Sequence, residues 1–389
     1  REGTFLNRKY LSSKKMDNSS IKRKANFDIW VLVALLILAA IGTVMVYSSS
    51  AVMADSRFKT QFFFFKKQIM WILISMFLFL LAFKIDYHWY SRVANFFLFL
   101  SFLLLLAVLF LPATKGVHRW IKIGPVNIQP SEIFRYSLVL FMASTLAKRM
   151  DKIREFKHLL IPYFFILVVY VGLIMKQPDL GSVFTITLVF FLLLFVAKAR
   201  LKHLLLLALP GIVGFIILVF GLGYEKDRIY DYINSVKDPL AGNYQVKQSI
   251  LALGNGGLKG VGLAEGKQKF FFLPEPHTDF IFATLGEETG FIGLLGVLVL
   301  FLIIAWRGMV IASQAVDPLG YFLALGITFS IFTCALINIG VVIGILPTTG
   351  VPLPFLSYGG SSLVMSFVGT GVLLNISKKS HLKRYTFNY

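Results

Sequence analysis

The chain has 389 residues, 57% of them hydrophobic and 15% charged, a composition too apolar and too sparsely charged for an ordinary water-soluble enzyme. The formal net charge of +20 does not indicate nucleic acid, because Lys and Arg fall in short runs between apolar segments, as in a membrane topology signal. The single cysteine, Cys334, lies in an apolar run, which excludes an intrachain disulfide and a thiol metal cluster.

Residues 1–26, with Arg1, Arg8, Lys9, Lys14, Lys15, Lys22, Arg23 and Lys24 and no apolar period, read as a disordered basic cytoplasmic tail. Apolar runs follow from Ile29 to Tyr47, Ile69 to Phe83, Val93 to Leu111, Ile133 to Ala147 and Leu159 to Met175. Five more extend from Ser182 to Ala197, Leu204 to Leu222, Phe280 to Trp306, Leu319 to Leu346, and Ser361 to Ile376. A spanning helix needs roughly 20 mostly apolar residues, so about ten crossings are predicted and the fold class is all-α, a polytopic integral membrane protein. The second and fourth runs are short; they must extend into flanking polar residues, tilt, or stop before crossing. Residues 27–378 form one transmembrane domain, with 379–389 as a second cytoplasmic tail.

With ten crossings both termini share a face, and that face holds the larger share of Lys and Arg. The excess widens when the long segment 223–279 is left out, so both termini are predicted to be cytoplasmic. Segment 223–279 is then one large extracytoplasmic loop, and loops of that length usually carry function.

Along the outward loops, Lys115, Arg119 and Lys122 form a cationic cluster beside Trp120. They read either as snorkelling side chains or as capture of a phosphorylated lipid head group. Glu132 follows Pro130 at a predicted helix start, and Arg135 stands one turn later inside an apolar run. A charge placed there needs a partner, so Glu132 and Arg135 are predicted to form a structural ion pair. Gln177-Pro-Asp179-Leu-Gly181 reads as a turn that starts the sixth helix.

The long loop contains Arg228 and Lys247 and a glycine series at Gly254, Gly256, Gly257, Gly260 and Gly262. These glycines suit either close approach of backbone amides to a ligand or a flexible linker. It ends in His277-Thr278-Asp279 at the predicted outer membrane boundary. Asp279 reads as a helix N-cap, a role open also to Thr278, or as a carboxylate general base beside a cationic loop. Glu287 and Glu288 fall inside an apolar run and require a cavity or partners. Ala283, Gly286, Gly290 and Gly293 form a small-residue stripe suited to close packing of another helix. The last turn, from Pro347 to Ser362, is uncharged and rich in Pro, Gly and hydroxyls; it suits non-helical backbone that lines a polar cavity.

Taken together, these segments resemble the SEDS family of shape, elongation, division and sporulation proteins. The motifs that carry the resemblance are Asp28 with Tyr47-Ser-Ser, Arg119-Trp120, Gln129-Pro-Ser-Glu132, Gln177-Pro-Asp-Leu-Gly181, His277-Thr-Asp279-Phe-Ile-Phe282, Pro352-Leu-Pro354 and Ser357-Tyr-Gly-Gly-Ser-Ser362. Gln268-Lys, Leu273-Pro and Gly286-Glu-Glu288 look like the division-type branch rather than the elongation-type one. Arg135, Cys334 and Ser182 depart from the Lys, Gln and Thr expected at those places; the second removes an amide from the ninth span.

The resemblance implies a peptidoglycan glycosyltransferase that polymerises lipid II, the undecaprenyl-diphosphate disaccharide pentapeptide, during cell division. The expected site faces outward from the bacterial cytoplasmic (inner) membrane. A class B penicillin-binding transpeptidase and other division membrane proteins are the expected partners. Asp279 is the expected base, taking the proton of the acceptor 4-hydroxyl as that oxygen attacks the anomeric carbon in one inverting displacement. Arg119, Lys122, Arg228, Lys247, His277, Ser357 and Ser361 are the expected substrate contacts. No metal-ligand motif is visible in the sequence, and a divalent cation, Mg or Mn, bridging the diphosphate remains compatible with the chemistry. A lipid II flippase and a non-enzymatic division scaffold are the alternatives, since buried charges also suit transport.

Overall fold

The computed structural model describes residues 27–113, 116–124, 126–238, 243–270 and 272–386; the predicted tail 1–26 and Lys115 lie outside the described residues. Among the described residues, eight helices are long and apolar enough to cross a membrane. They are α1 (Ile29–Phe58), α2 (Phe63–Lys84), α3 (Tyr87–Phe110), α5 (Phe156–Met175), α7 (Leu201–Gly221), α10 (Ile281–Ser313), α11 (Pro318–Val342) and α12 (Gly360–Thr386). Helices α4 (Pro130–Lys148) and α6 (Leu180–Val196) stand at the other two predicted apolar runs. The chain is therefore a multi-pass helical membrane protein.

The short second run reaches adequate length by recruiting Phe63 to Gln68, polar residues included. Helix α4 is weakly apolar for a different reason. Glu132, Arg135, Ser137 and Ser144 are all buried against neighbouring helices, so this helix presents little surface to lipid. The C-terminal segment beyond residue 378 continues as helix α12 to Thr386.

At the end of the bundle that carries the termini, Asp28 joins three helices. One carboxylate oxygen accepts from Val31 N and caps α1, while the other pairs with Arg307 of α10, 2.6 Å away. The Asp28 amide donates to Ser377 Oγ of α12 at 3.1 Å.

At the opposite end, the long segment is folded. It contains α8 (Lys226–Lys237) and α9 (Tyr244–Gly256), and a small antiparallel hairpin, β1 (Ile121–Ile123) with β2 (Val126–Ile128), precedes α4. Two glycines of the series, Gly256 and Gly260, serve packing against α10, which replaces the ligand-approach reading at those two positions. A Cβ at Gly256 would lie 2.0 Å from Gly286 O of α10, so the two backbones are already in contact. The small-residue stripe of α10 receives α9 and the chain just after it. Gly256→Ala is expected to cost at least about 1–3 kcal/mol by overpacking, seen as a lowered thermal midpoint of the detergent-solubilised protein.

Helix α10 breaks at Gly290, whose φ of 69° and ψ of −169° are open to glycine and strained for other residues. Phe291 N and Ile292 N donate to Gly257 O and Leu258 O, while Glu287 O and Glu288 O accept from Val261 N and Gly262 N. In a regular helix those two amides would bond the carbonyls of Glu287 and Glu288. The break therefore exchanges helical bonds for bonds to segment 257–262, and no buried backbone group among these is left bare.

The two acids predicted to need partners have them. Glu287 accepts from the amides of Lys267 and Gln268, and Glu288 pairs with Lys269 Nζ at 2.8 Å. Glu288 also accepts from Ser48 Oγ of α1 at 2.6 Å and from Ala264 N at 3.0 Å. These carboxylates hold the long segment down on the bundle.

Candidate active site

The last turn of the long segment is gripped through its main chain. His277 O accepts from Tyr358 N (2.9 Å), Thr278 O from Ser357 Oγ (2.7 Å) and Asp279 O from Asn338 Nδ2 (2.7 Å). Asn338 also donates to Val351 O at 2.8 Å, so one amide ties Asp279 to the Pro-rich turn. Helix α10 has Phe280 at its N-cap position with no side-chain cap bond, so neither Thr278 nor Asp279 plays the capping role weighed from the sequence. Asp279 is only partly buried.

Arg119 is fixed from the other side. Its Nε donates to Gln177 O at 3.0 Å and its Nη2 to Pro178 O, so the Gln-Pro-Asp turn acts as a cradle for the guanidinium. Asp179 in turn caps α6 through Ser182 N and accepts from Ser131 Oγ, Ser182 Oγ and Gln129 Nε2, locking the turn to the start of α4. Ser361 Oγ accepts from Gln129 N and donates to Asn127 O, pinning the hairpin to α12.

These anchors bring the acid and the cation together over Gly350, an exposed residue with φ of 72°. A Cβ built there would stand 3.6 Å from Asp279 Oδ2 and 3.9 Å from Arg119 Nη1. The turn thus places a glycine where any side chain would enter the gap between the two groups.

The other predicted contacts divide. Arg228 pairs with Glu225 at 2.9 Å and shares the electrostatic surroundings of Tyr224 with Arg119. Burial first, then Glu225, pushes the Tyr224 phenol up to about 12 against the pull of both arginines. Tyr224 therefore stays neutral at physiological pH, its hydroxyl donating to Met175 O. Lys122 is exposed on β1 and Lys247 partly buried on α9; neither comes within 4 Å of the point above Gly350.

His277 and Ser357 lie beneath the surface rather than in the gap. His277 is buried between Phe64 and Tyr358, with ring centroids 4.5 and 5.6 Å away. Ser357 is buried, and its hydroxyl accepts from Leu353 N as well as donating to Thr278 O. Both set the backbone beneath Asp279. Ser361 likewise spends its hydroxyl on backbone partners.

Glu132 and Arg135 pair inside the bundle. Arg135 Nη2 lies 2.5 Å from Glu132 Oε2 and Nη1 lies 3.2 Å from Oε1, with both side chains buried. The same Nη1 reaches Cys334 Sγ at 2.9 Å, so the thiol at the departing position still meets α4. Among the described residues, no three His, Cys, Asp or Glu side chains gather as a metal-binding group. Asn338 was not singled out as a site residue from sequence. A polar amide inside the apolar ninth run was the available signal.

Residues 29–382 match the family described as "Cell cycle protein", which is named after FtsW, RodA and SpoVE. The chain belongs to this family. A protein of Geobacter sp. (strain M18) called "Probable peptidoglycan glycosyltransferase FtsW" is 42% identical over 364 residues, 92% of this chain and 99% of that one. "Stage V sporulation protein E" of Bacillus subtilis (strain 168) is 41% identical, again over 92% of this chain and 99% of the relative. Among solved structures, the rod shape determining protein RodA of Thermus thermophilus is similar at a TM-score of 0.66 and 25% identity, covering 92% of this chain and 98% of that one. A chain from a structure titled "Structural coordination of polymerization and crosslinking by a peptidoglycan synthase complex" has the same fold, with a TM-score of 0.75, 24% identity, and 91% and 98% coverage.

Proposed function

We propose that this chain is a peptidoglycan glycosyltransferase that joins lipid II into glycan strands at the outer face of the cytoplasmic membrane. The family supports the reaction class, and the observation that carries the assignment of residues is the meeting of Asp279 and Arg119 over Gly350. In this reading the Asp279 carboxylate takes the proton of the acceptor sugar's 4-hydroxyl while that oxygen attacks the anomeric carbon of the donor. A free carboxylate has a pKa of about 3.9, far below that of a sugar hydroxyl, so the proton moves as the bond forms.

The diphosphate leaves as an anion and needs positive charge rather than an acid. Arg119 supplies it, with two donors already committed to the Gln177 and Pro178 carbonyls and Nη1 turned toward the gap. One direct displacement inverts an α-linked donor into a β-linked glycan. A Mg or Mn ion, where one takes part, would supply further neutralisation of the leaving-group charge. The glycan product calls for crosslinking, and the proposed partner is a class B penicillin-binding transpeptidase, working with other division membrane proteins. Cytoplasmic termini follow from the charge distribution.

Polymerisation of purified lipid II by the purified chain, with and without a cognate transpeptidase, tests this. Glycan product is expected; movement of head groups across the membrane without product would identify a flippase. In the same assay Arg119→Ala is expected to raise the lipid II requirement by about tenfold or more, the scale of one lost charge-assisted contact, alongside a lowered thermal midpoint from the two carbonyls left without their donor. An unchanged requirement would remove Arg119 from the site.

A further inference from the structure

At the end of the bundle opposite Asp279, a cavity of about 410 Å³ opens beside the C-terminus of α4, lined by Lys148, Arg149, Lys152 and His158. Its volume falls within the range of small-molecule sites. The backbone around it is set by successive turns: Arg149 N donates to Leu146 O, Lys152 N to Arg149 O, Glu155 N to Lys152 O and His158 N to Glu155 O. Ile153, 2% exposed, plugs this loop into the core. The cations are thus carried on a folded scaffold and converge, which the ordinary bias of basic residues toward one membrane face does not require.

Among the described side chains, those that line the cavity are Lys148, Arg149, Lys152 and His158, with no carboxylate between them. The nearby Glu155 is engaged by His158 Nδ1 at 3.0 Å. Three positive side chains facing one hollow repel each other, and a bound anion relieves that repulsion. A second basic turn, Lys198 to Lys202 between α6 and α7, adjoins this one through the rings of Phe156 and His203, 5.3 Å apart. Apolar side chains stand out among these cations: Met150 is 43% exposed and Leu201 61%. Phosphate-binding charge interleaved with exposed apolar surface at a helix end fits an amphiphile with an anionic phosphate head.

We propose that this cavity binds the phosphate of an anionic phospholipid on the face of the membrane that carries the chain termini. The test uses the full chain in detergent micelles, with lipid binding followed by native mass spectrometry. Phosphatidylglycerol is expected to bind more tightly than phosphatidylcholine. The triple variant Lys148→Gln, Arg149→Gln, Lys152→Gln is expected to lose about tenfold or more of that affinity. A control that removes equal charge from the same face, Lys84→Gln, Arg92→Gln, Lys378→Gln, is expected to change it by less than about twofold. The single variant Lys152→Gln, with an intermediate loss and a parental thermal midpoint, separates lost binding from lost folding.

Equal affinity for the two lipids, or equal losses in both triple variants, would overturn the site. Saturation by inorganic phosphate, with no preference between the lipids, would overturn the lipid assignment in favour of a soluble phosphate.

Discussion

Asp279→Asn is expected to abolish glycan formation from lipid II while leaving the fold intact. A positioned general base contributes about 10²- to 10⁴-fold, and Asn keeps the shape of the side chain while losing its capacity to take a proton. The seat of this residue is built on main-chain carbonyls: Asn338 and Ser357 grip the carbonyls of Asp279 and Thr278, not the carboxylate. With that main-chain grip kept, the variant should fold and bind donor lipid, with turnover reduced by at least about 10²-fold in a gel assay of polymer. Turnover at the parental rate would end the assignment of the base, and a variant chain still supporting division would favour the scaffold reading.

The second large effect is expected at Lys269. The residue is 4% exposed, and its ammonium sits 2.8 Å from Glu288 and 3.1 Å from Ser48 Oγ. Lys269→Met leaves a buried carboxylate with its countercharge removed, which costs about 3–5 kcal/mol. Pairing it with Glu288→Gln should recover part of that loss, because the double variant has no uncompensated charge in the core. Thermal unfolding of the two single variants and the double variant measures the coupling; simple additivity would show that the pair carries no joint stabilisation. Polymerisation should fall with stability, since the segment held by Glu287 and Glu288 leads directly into Leu273 and Asp279.

Much of the helical frame was legible from runs of apolar residues, because lipid rewards a long uninterrupted stretch regardless of what it touches. The Glu132–Arg135 pair was legible for a similar reason: a charge at that depth demands a partner within one turn. The hairpin was not, since strands of three residues are too short to show a period. Nor was the clamp on Asp279, whose donors Asn338 and Ser357 lie far along the chain and meet it only in the folded bundle. The glycine series was visible, but its partner was not. Density of glycine reports close approach without saying whether a ligand or another helix approaches, and Gly286 supplied the answer. His277 and Ser357 stood near the expected base in sequence order, and proximity along the chain did not put their side chains in the open.

The break at Gly290 constrains how a bulky substrate enters. Lifting segment 257–262 as a lid would strip Glu287 O, Glu288 O, Phe291 N and Ile292 N of their partners at once, at a penalty of about 1–3 kcal/mol for each group left dry. That stretch is riveted rather than hinged. On the proposed function, a polyprenyl-linked donor would therefore enter by a route that leaves this part of the roof shut.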